Sequence, residues 1–86
     1  MTDTTFNGYA SWDDWNVALW LNNDEGLYNT LCHYAELAAY MTISHSEALV
    51  NLLAALPDET PDGAGFSVLS VKPILDEQIA EHIKYS

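Results

Sequence analysis

The architecture of this chain follows from residues 11–41, which read SWDDWNVALWLNNDEGLYNTLCHYAELAAYM. Ser11 is a favourable N-cap, and Asp13 and Asp14 then fall in the first turn, where the helix dipole stabilises negative charge. We therefore predict a first helix from Trp12 to Leu21. Apolar residues cover most of its circumference, so this helix either is central and buried or carries an exposed aromatic edge for a partner.

A second helix is predicted directly after the first. Asn22 and Asn23 are expected to break the first helix, and Asn23 or Asp24 can cap the second. An apolar stripe with spacings of 4, 3, 4 and 3 predicts that this helix runs from about Asp24 to Met41. The stripe consists of Leu27, Leu31, Tyr34, Ala38 and Met41.

Two more helices are predicted in the rest of the chain. The run Ser44-His45-Ser46-Glu47 fits a capping box, with serine at the cap and glutamate three residues later. Pro57 ends this third helix. A last helix is predicted from Pro73 to Lys84, because proline suits a first turn and one face is apolar. That face consists of Leu75, Ile79 and Ile83.

Between these helices, residues 57–65 have the composition of a loop. The segment from Phe66 to Val71 can form either a short extended piece or a helical turn. Since no strand-like alternation is sustained, we predict an all-α fold, a small bundle of about four helices in one domain of residues 1–86. A two-stranded element near Phe66 to Val71 is the alternative.

Net charge is the strongest functional signal. The chain has 13 acidic residues against two lysines, for a formal net charge of −11. A compact body with this charge repels nucleic acid and anionic membranes and attracts basic surfaces. Only Lys72 and Lys84 could neutralise phosphates, so direct nucleic-acid binding is disfavoured. Hydrophobic residues make up 49% of the chain, which indicates a folded domain rather than a disordered acidic tail.

The sequence predicts a soluble, cytoplasmic protein. Residues 1–5 lack the basic and apolar regions of a signal peptide. The longest apolar stretch, Ala48 to Leu56, is much shorter than the roughly 20 residues that span a bilayer. The single cysteine, Cys32, excludes an intramolecular disulfide, and we interpret it as a buried apolar thiol.

No catalytic or metal-binding pattern is complete. The loop from Asp58 to Gly63 echoes a calcium-binding loop, but Leu69 stands where that pattern requires glutamate. The three histidines lack the spacing of a zinc motif. No nucleophile motif or glycine-rich phosphate loop is present. We therefore expect no metal, no cofactor and no enzymatic activity.

Partner binding is predicted to depend on carboxylates along the helix faces. A net charge of −11 exceeds the magnitude of about 2–8 that keeps a small domain soluble, which favours a basic partner over a merely solvated surface. Tryptophan is a frequent interface anchor, and a small core cannot easily hide three of them. The predicted partner-binding residues are Asp13, Asp14, Asp24, Glu25, Glu36, Asp76, Glu77 and Glu81, with Trp12 and Trp20 as aromatic anchors.

Two segments carry a resemblance to other proteins: Trp15-Asn16-Val17-Ala18-Leu19-Trp20 and Asn23-Asp24-Glu25-Gly26-Leu27-Tyr28. They resemble the shared stretch of a small family of uncharacterised proteins found in phages, plasmids and archaea. Thr60-Pro61-Asp62-Gly63 extends the resemblance more loosely, and Trp12 stands where the family more often has tyrosine. The resemblance implies a mobile-element setting, where small acidic proteins often inhibit CRISPR or restriction complexes. It implies no known activity and no functional residues.

These observations lead to two functional hypotheses. The first is an anti-defence inhibitor, above all an anti-CRISPR protein, without enzymatic activity. It would bind a basic, nucleic-acid-binding surface of a CRISPR-Cas or restriction subunit and block DNA access, as a DNA mimic. The second is a phage accessory protein or dimerisation module, whose acidity is an adaptation to its solvent.

Overall fold

The computed structural model describes residues 11–84, which form a bundle of four helices. No strand occurs within this range; its one β-feature is an isolated bridge between Glu59 and Gly65. The prediction of a small all-α bundle is therefore confirmed, and residues 68–71 are helical rather than extended. The helices are α1 (Trp12–Asn23), α2 (Glu25–Ala39), α3 (His45–Ala55) and α4 (Val68–Lys84).

A single residue, Asp24, joins α1 to α2. Its backbone N–H donates to the Trp20 carbonyl and closes α1, while its carboxylate accepts a 3.0 Å bond from the Leu27 N–H and opens α2. The asparagines before it extend α1 instead of breaking it. Asn22 and Asn23 each donate a side-chain amide N–H to the carbonyl four residues earlier, so α1 continues two residues beyond the predicted end at Leu21.

Helices α2 and α4 form the centre of the bundle. Each packs against both α1 and α3, whereas α1 and α3 do not pack against each other, so the latter two lie on opposite sides of the central pair. The core between them is aliphatic. Its largest fully buried apolar side chains are Leu21, Leu31, Leu52, Leu75, Ile79, Val17 and Val71.

The C-terminus of α2 differs from the prediction. The helix ends at Ala39, because the Thr42 N–H bonds to the Leu37 carbonyl and the Met41 N–H bonds to the Ala38 carbonyl, as in a Schellman motif. Met41 has a φ of 61° and is 89% exposed. Its predicted place in the apolar stripe of the second helix is therefore wrong.

The N-terminus of α4 also differs from the prediction. The helix begins at Val68 rather than at Pro73, and Pro73 lies inside it. Ser67 and Ser70 cap the earlier start reciprocally, since each backbone N–H donates to the other's hydroxyl oxygen. At the far end, Ile83 is 55% exposed, so the predicted apolar face is buried only as far as Ile79.

Candidate partner-binding surface

A buried polar network ties the α3–α4 loop to the middle of α1. Asn16 and Thr60 are 1% and 3% exposed, and the Thr60 hydroxyl donates a 2.6 Å bond to the Asn16 side-chain oxygen. The same hydroxyl oxygen accepts the Ala64 N–H at 3.0 Å. Because a buried amide and a buried hydroxyl satisfy each other, the network sets the position of the loop on α1.

Asp62 completes this network from the surface. One of its carboxylate oxygens accepts 2.9 Å bonds from the Asn16 side-chain amide and from the Trp20 indole N–H. These two hydrogen bonds, that from Asn16 first, lower the pKa of the Asp62 carboxyl below its ordinary 3.8, because they stabilise the charged form. The half-buried ring of Trp20 therefore has its polar edge engaged within the molecule, whereas Trp12 is 38% exposed.

The residues that carry the sequence resemblance meet in this network. Asn16 and Trp20 come from the segment in α1, and Thr60 and Asp62 come from the loop 42 to 46 residues later. The second resembling segment ends at Tyr28, which is 39% exposed and is not part of this network. Two of the three segments thus have a structural role in joining α1 to the loop.

Helix α4 contributes the acidic wall of an open groove against α1 and α2. Glu77 and Glu81 are four residues apart, so their side chains lie on one face of the helix. They line a groove of about 340 Å³. The other lining residues are Asn22, Tyr28, Pro73, Ile74 and Gln78. A concave surface with two carboxylates, a phenol and amide groups is suited to accept hydrogen bonds from a basic side chain.

Tyr28 lines this acidic groove from α2, and its phenol is influenced by its neighbours. Its interaction with Cys32, one turn later in α2, raises the pKa of the Tyr28 phenol, and the negative charge of Glu81 raises it further. A hydrogen bond with Gln78 acts in the opposite direction. Cys32 is half-buried rather than fully buried as predicted. Because the shift is upward from an ordinary pKa of 10.0, the phenol keeps its proton at neutral pH and can donate a hydrogen bond in the groove that Glu77 and Glu81 also line.

The remaining predicted acidic residues lie at several places. Asp13 and Asp14 occupy the first turn of α1, about 15 Å along the helix from Asp24, given a rise of 1.5 Å per residue. Asp24 is used as the α2 cap. Glu25 and Glu36 are exposed near the two ends of α2.

Asp76 differs from its neighbours on α4, because a lysine neutralises it. The Lys72 ammonium lies 2.8 Å from the Asp76 carboxylate. Both side chains are largely exposed, at 59% and 42%, so the pair contributes little to stability. Of the three predicted α4 carboxylates, the structure therefore brings Glu77 and Glu81 into the acidic groove and pairs the third with a cation.

Sequence reasoning missed Asn22, Tyr28 and Gln78 as members of the acidic groove. The four-residue spacing of Glu77 and Glu81 was visible in the sequence, but the helices that face them were not. The position of Tyr28 at the end of a resembling segment was the one available signal for that residue.

Within residues 11–84, no three side chains of histidine, cysteine, aspartate or glutamate come together in a way that could hold a metal ion. In the same range, no helix has both the length and the apolar character needed to cross a membrane.

Comparisons with known proteins identify a family. None of the curated proteins and none of the solved structures matches the chain. The sequence profile of one family, described as a family of unknown function, matches residues 2–85, which is nearly the whole chain. The chain therefore belongs to this family of unknown function, DUF7249.

Proposed function

We propose that the protein is a non-enzymatic inhibitor encoded by a mobile element, which binds a basic, nucleic-acid-binding surface of a host defence complex in the cytoplasm. An anti-CRISPR protein is the form of this function that we favour, with a CRISPR-Cas subunit as its partner and a restriction subunit as the other candidate. Occupation of the basic surface would block DNA access.

The observation that carries the proposal is the excess of carboxylates over cations on a folded surface. Two lysines can neutralise at most two of the 13 acidic side chains, and one of these lysines is paired with Asp76. Every aspartate and glutamate within residues 11–84 is at least partly exposed. Such a surface attracts a basic partner over long distances and accelerates the encounter.

Mimicry of DNA is supported by the spacing of charge along α4. Glu77 and Glu81 project from one face about 6 Å apart along the helix axis, given a rise of 1.5 Å per residue. This is close to the separation of every second phosphate along one DNA strand, where charges follow each other every 3.4 Å or so. A basic groove that fits a phosphate backbone can therefore accept this helix face.

The test is displacement of DNA from purified defence complexes. A fluorescently labelled duplex is bound to a panel of CRISPR effector complexes and restriction enzymes, and its anisotropy is followed as the protein is added. We expect release of DNA from at least one member of the panel. Release should need much more protein at about 300 mM than at about 50 mM salt, because exposed charges are screened over about 10 Å at 0.1 M.

Matched variants locate the binding surface. Glu77→Gln with Glu81→Gln removes two charges from the acidic groove, and Asp58→Asn with Glu59→Gln removes the same charge from the exposed α3–α4 loop, which lines neither this groove nor its border. We expect only the groove variant to lose potency, by about tenfold. Equal potency of the two variants, or no release from any complex, would contradict the proposal.

One observation favours a second function, a dimerisation or accessory module joined through aromatic side chains. Trp12 and Leu19 are both 38% exposed and lie seven residues apart on α1, with half-buried Trp15 between them, so the three form one stripe. Sedimentation at about 20 and 500 mM salt decides between the functions. A dimer that Trp12→Ala dissociates would support this second function; a monomer at both salt concentrations would remove it.

A further inference from the structure

Met41 adopts a backbone conformation that suits glycine better. Its φ of 61° lies in the left-handed region, and the C′ position of a Schellman motif, which Met41 occupies, usually holds glycine. The side chain makes no compensating contribution to the core, since it is 89% exposed. The fold therefore holds a large apolar side chain in a strained position and presents it to solvent. Strain of this kind is concentrated at binding sites.

The exposed Met41 side chain borders an open apolar groove. This apolar groove has a volume of about 460 Å³ and lies where the α2–α3 turn meets the end of α4. Ala38 and Ala39 line it from α2, Ile43 from the turn and Ile83 from α4. Met41 and Ile83 are 89% and 55% exposed, so apolar area is concentrated here on a strongly charged molecule. Methionine, being flexible and polarisable, is well suited to receive apolar side chains of differing shape.

Carboxylates at the border of the apolar groove indicate what occupies it. The Glu47 carboxylate lies 3.1 Å from the backbone nitrogen of Ser44, which lines the groove. Glu36 lies one turn before Ala39 on α2, so the two are neighbours on the helix surface. His45 also lines the groove and is counted as neutral, and Lys84 follows Ile83, so the two carboxylates still leave this border acidic. An apolar side chain flanked by lysine or arginine would fill the groove and pair with these carboxylates. A second copy of this chain would bring another net charge of −11 to the same place and be repelled.

We propose that the groove formed by Ala38, Ala39, Met41, Ile43 and Ile83 binds an apolar side chain, flanked by basic residues, of the partner protein. This inference rests on the proposed function for the basic character of the partner and adds to it a specific apolar contact. Carboxylates bring the partner to this protein, and the apolar groove selects partners that present a leucine-like side chain among their positive charges.

The experiment uses two six-residue peptides and the ε-methyl NMR signal of Met41. One peptide has two leucines between two pairs of lysines, and the other has serines in place of the leucines, with the same charge. Met1 and Met41 are the two methionines of the chain, so selective ¹³C-methyl labelling gives a simple spectrum in which the Met41→Gly variant assigns the signals. We expect the leucine peptide to bind about tenfold more tightly than the serine peptide and to shift the Met41 signal.

The Met41→Gly variant should bind both peptides with nearly equal affinity. Misfolding would not explain this loss, because glycine takes the left-handed conformation without steric cost, and a melting curve checks it. The matched control is Leu69→Ala, which removes a side chain that is 84% exposed and lies about 20 Å from Ile83 along α4. The control should keep the tenfold preference for leucine.

Three outcomes would overturn the inference. They are an undiminished leucine preference in Met41→Gly, a Met41 signal that the serine peptide shifts equally, and a signal that moves with protein concentration alone, which would assign the groove to a second copy. Failure of the proposed function is separate. If the protein prefers the leucine peptide but releases no DNA from any defence complex, the apolar binding groove is supported and the proposed function is contradicted. If the protein releases DNA and the Glu77→Gln and Glu81→Gln variant weakens that release, but no preference for the leucine peptide is found, the proposed function stands and the inference about the apolar groove fails.

Discussion

Asn16 is a buried amide in a helix whose neighbouring positions are apolar. Val17, Ala18 and Leu21 share its burial, and in that setting an unpaired amide would cost about 1–3 kcal/mol. The Thr60 hydroxyl and the Asp62 carboxylate remove this cost by bonding to both ends of the amide. A polar residue inside α1 therefore specifies which loop packs against the helix.

Replacing Asn16 by alanine should lower the free energy of unfolding by about 2 kcal/mol, because Thr60 loses its acceptor and Asp62 loses one donor. Urea denaturation monitored by circular dichroism measures this as a lower midpoint with an unchanged slope. The control is Asn22→Ala on the same helix, where the side chain is exposed and bonds only to the Ala18 carbonyl. Equal losses in the two variants would show that the network contributes nothing specific.

The contribution of Asp62 to stability should depend on pH. Its pKa is lower in the folded protein than the ordinary 3.8, so the unfolded state binds its proton at higher pH than the folded state does. The stabilisation is therefore present above about pH 4 and is lost as the pH falls through the folded-state pKa.

We expect the difference in melting temperature between the wild type and Asp62→Asn to shrink as the pH is lowered from 6 towards 2.5. Asp58→Asn is the control, since Asp58 is an exposed aspartate of the same loop that bonds through its backbone carbonyl. A difference for Asp62→Asn that stays constant over this pH range would be inconsistent with a carboxylate held by Asn16 and Trp20.

At the scale of the helices, local capping signals determined most of what could be predicted. Ser11, Asp24 and Ser44 were identifiable from the sequence as N-caps, and the starts of α1, α2 and α3 lie next to them. The ends were less predictable. Met41 continues the apolar periodicity of α2, yet the helix ends two residues earlier, at Ala39. For α4, the sequence predicts a start at Pro73, whereas the reciprocal bonds between Ser67 and Ser70 allow an earlier start.

The capping box of α3 provides a prediction at this scale. Ser44→Ala should cost about 1 kcal/mol of stability, because the Glu47 N–H at 3.0 Å loses its side-chain acceptor. Thermal or urea denaturation gives the value. Ser46→Ala, an exposed serine in the first turn of the same helix, should change the stability by less than about 0.5 kcal/mol. A larger effect at Ser46 than at Ser44 would show that the box does not stabilise the helix start.

Across the whole molecule, the net charge could be predicted from the sequence, but the positions of the charged side chains on the surface could not. The excess of acidic residues was countable, whereas the meeting of Glu77 and Glu81 with Tyr28 depends on how α4 crosses α1 and α2. The same limit applies to the polar network, in which Asn16 and Asp62 are 46 residues apart in the chain. Spacing within one helix is readable from a sequence, but contacts between helices require the packed structure.

The net charge should make the stability of the whole molecule depend on salt. The chain has 13 acidic residues and only two lysines. The acidic residues therefore repel one another more strongly in the compact folded state than in the expanded unfolded chain. The melting temperature should therefore rise by several degrees between about 20 and 300 mM sodium chloride, where the screening length falls to roughly 5–6 Å. The Glu77→Gln and Glu81→Gln variant should gain less from salt. A melting temperature that falls with salt would mean that attractive ion pairs outweigh the repulsion.

The attachment of the α3–α4 loop to α1 has a consequence for the folding kinetics. Its hydrogen bonds join residues 42 to 46 positions apart, whereas the caps of the helices join residues three positions apart. Distant contacts carry a larger loop-closure cost, so we expect the bundle to condense before this attachment forms. An attachment that forms after the transition state slows unfolding and leaves the folding rate nearly unchanged. The hydrogen bonds of Asn16 and Asp62 would then set the unfolding rate, and with it the lifetime of each folded molecule.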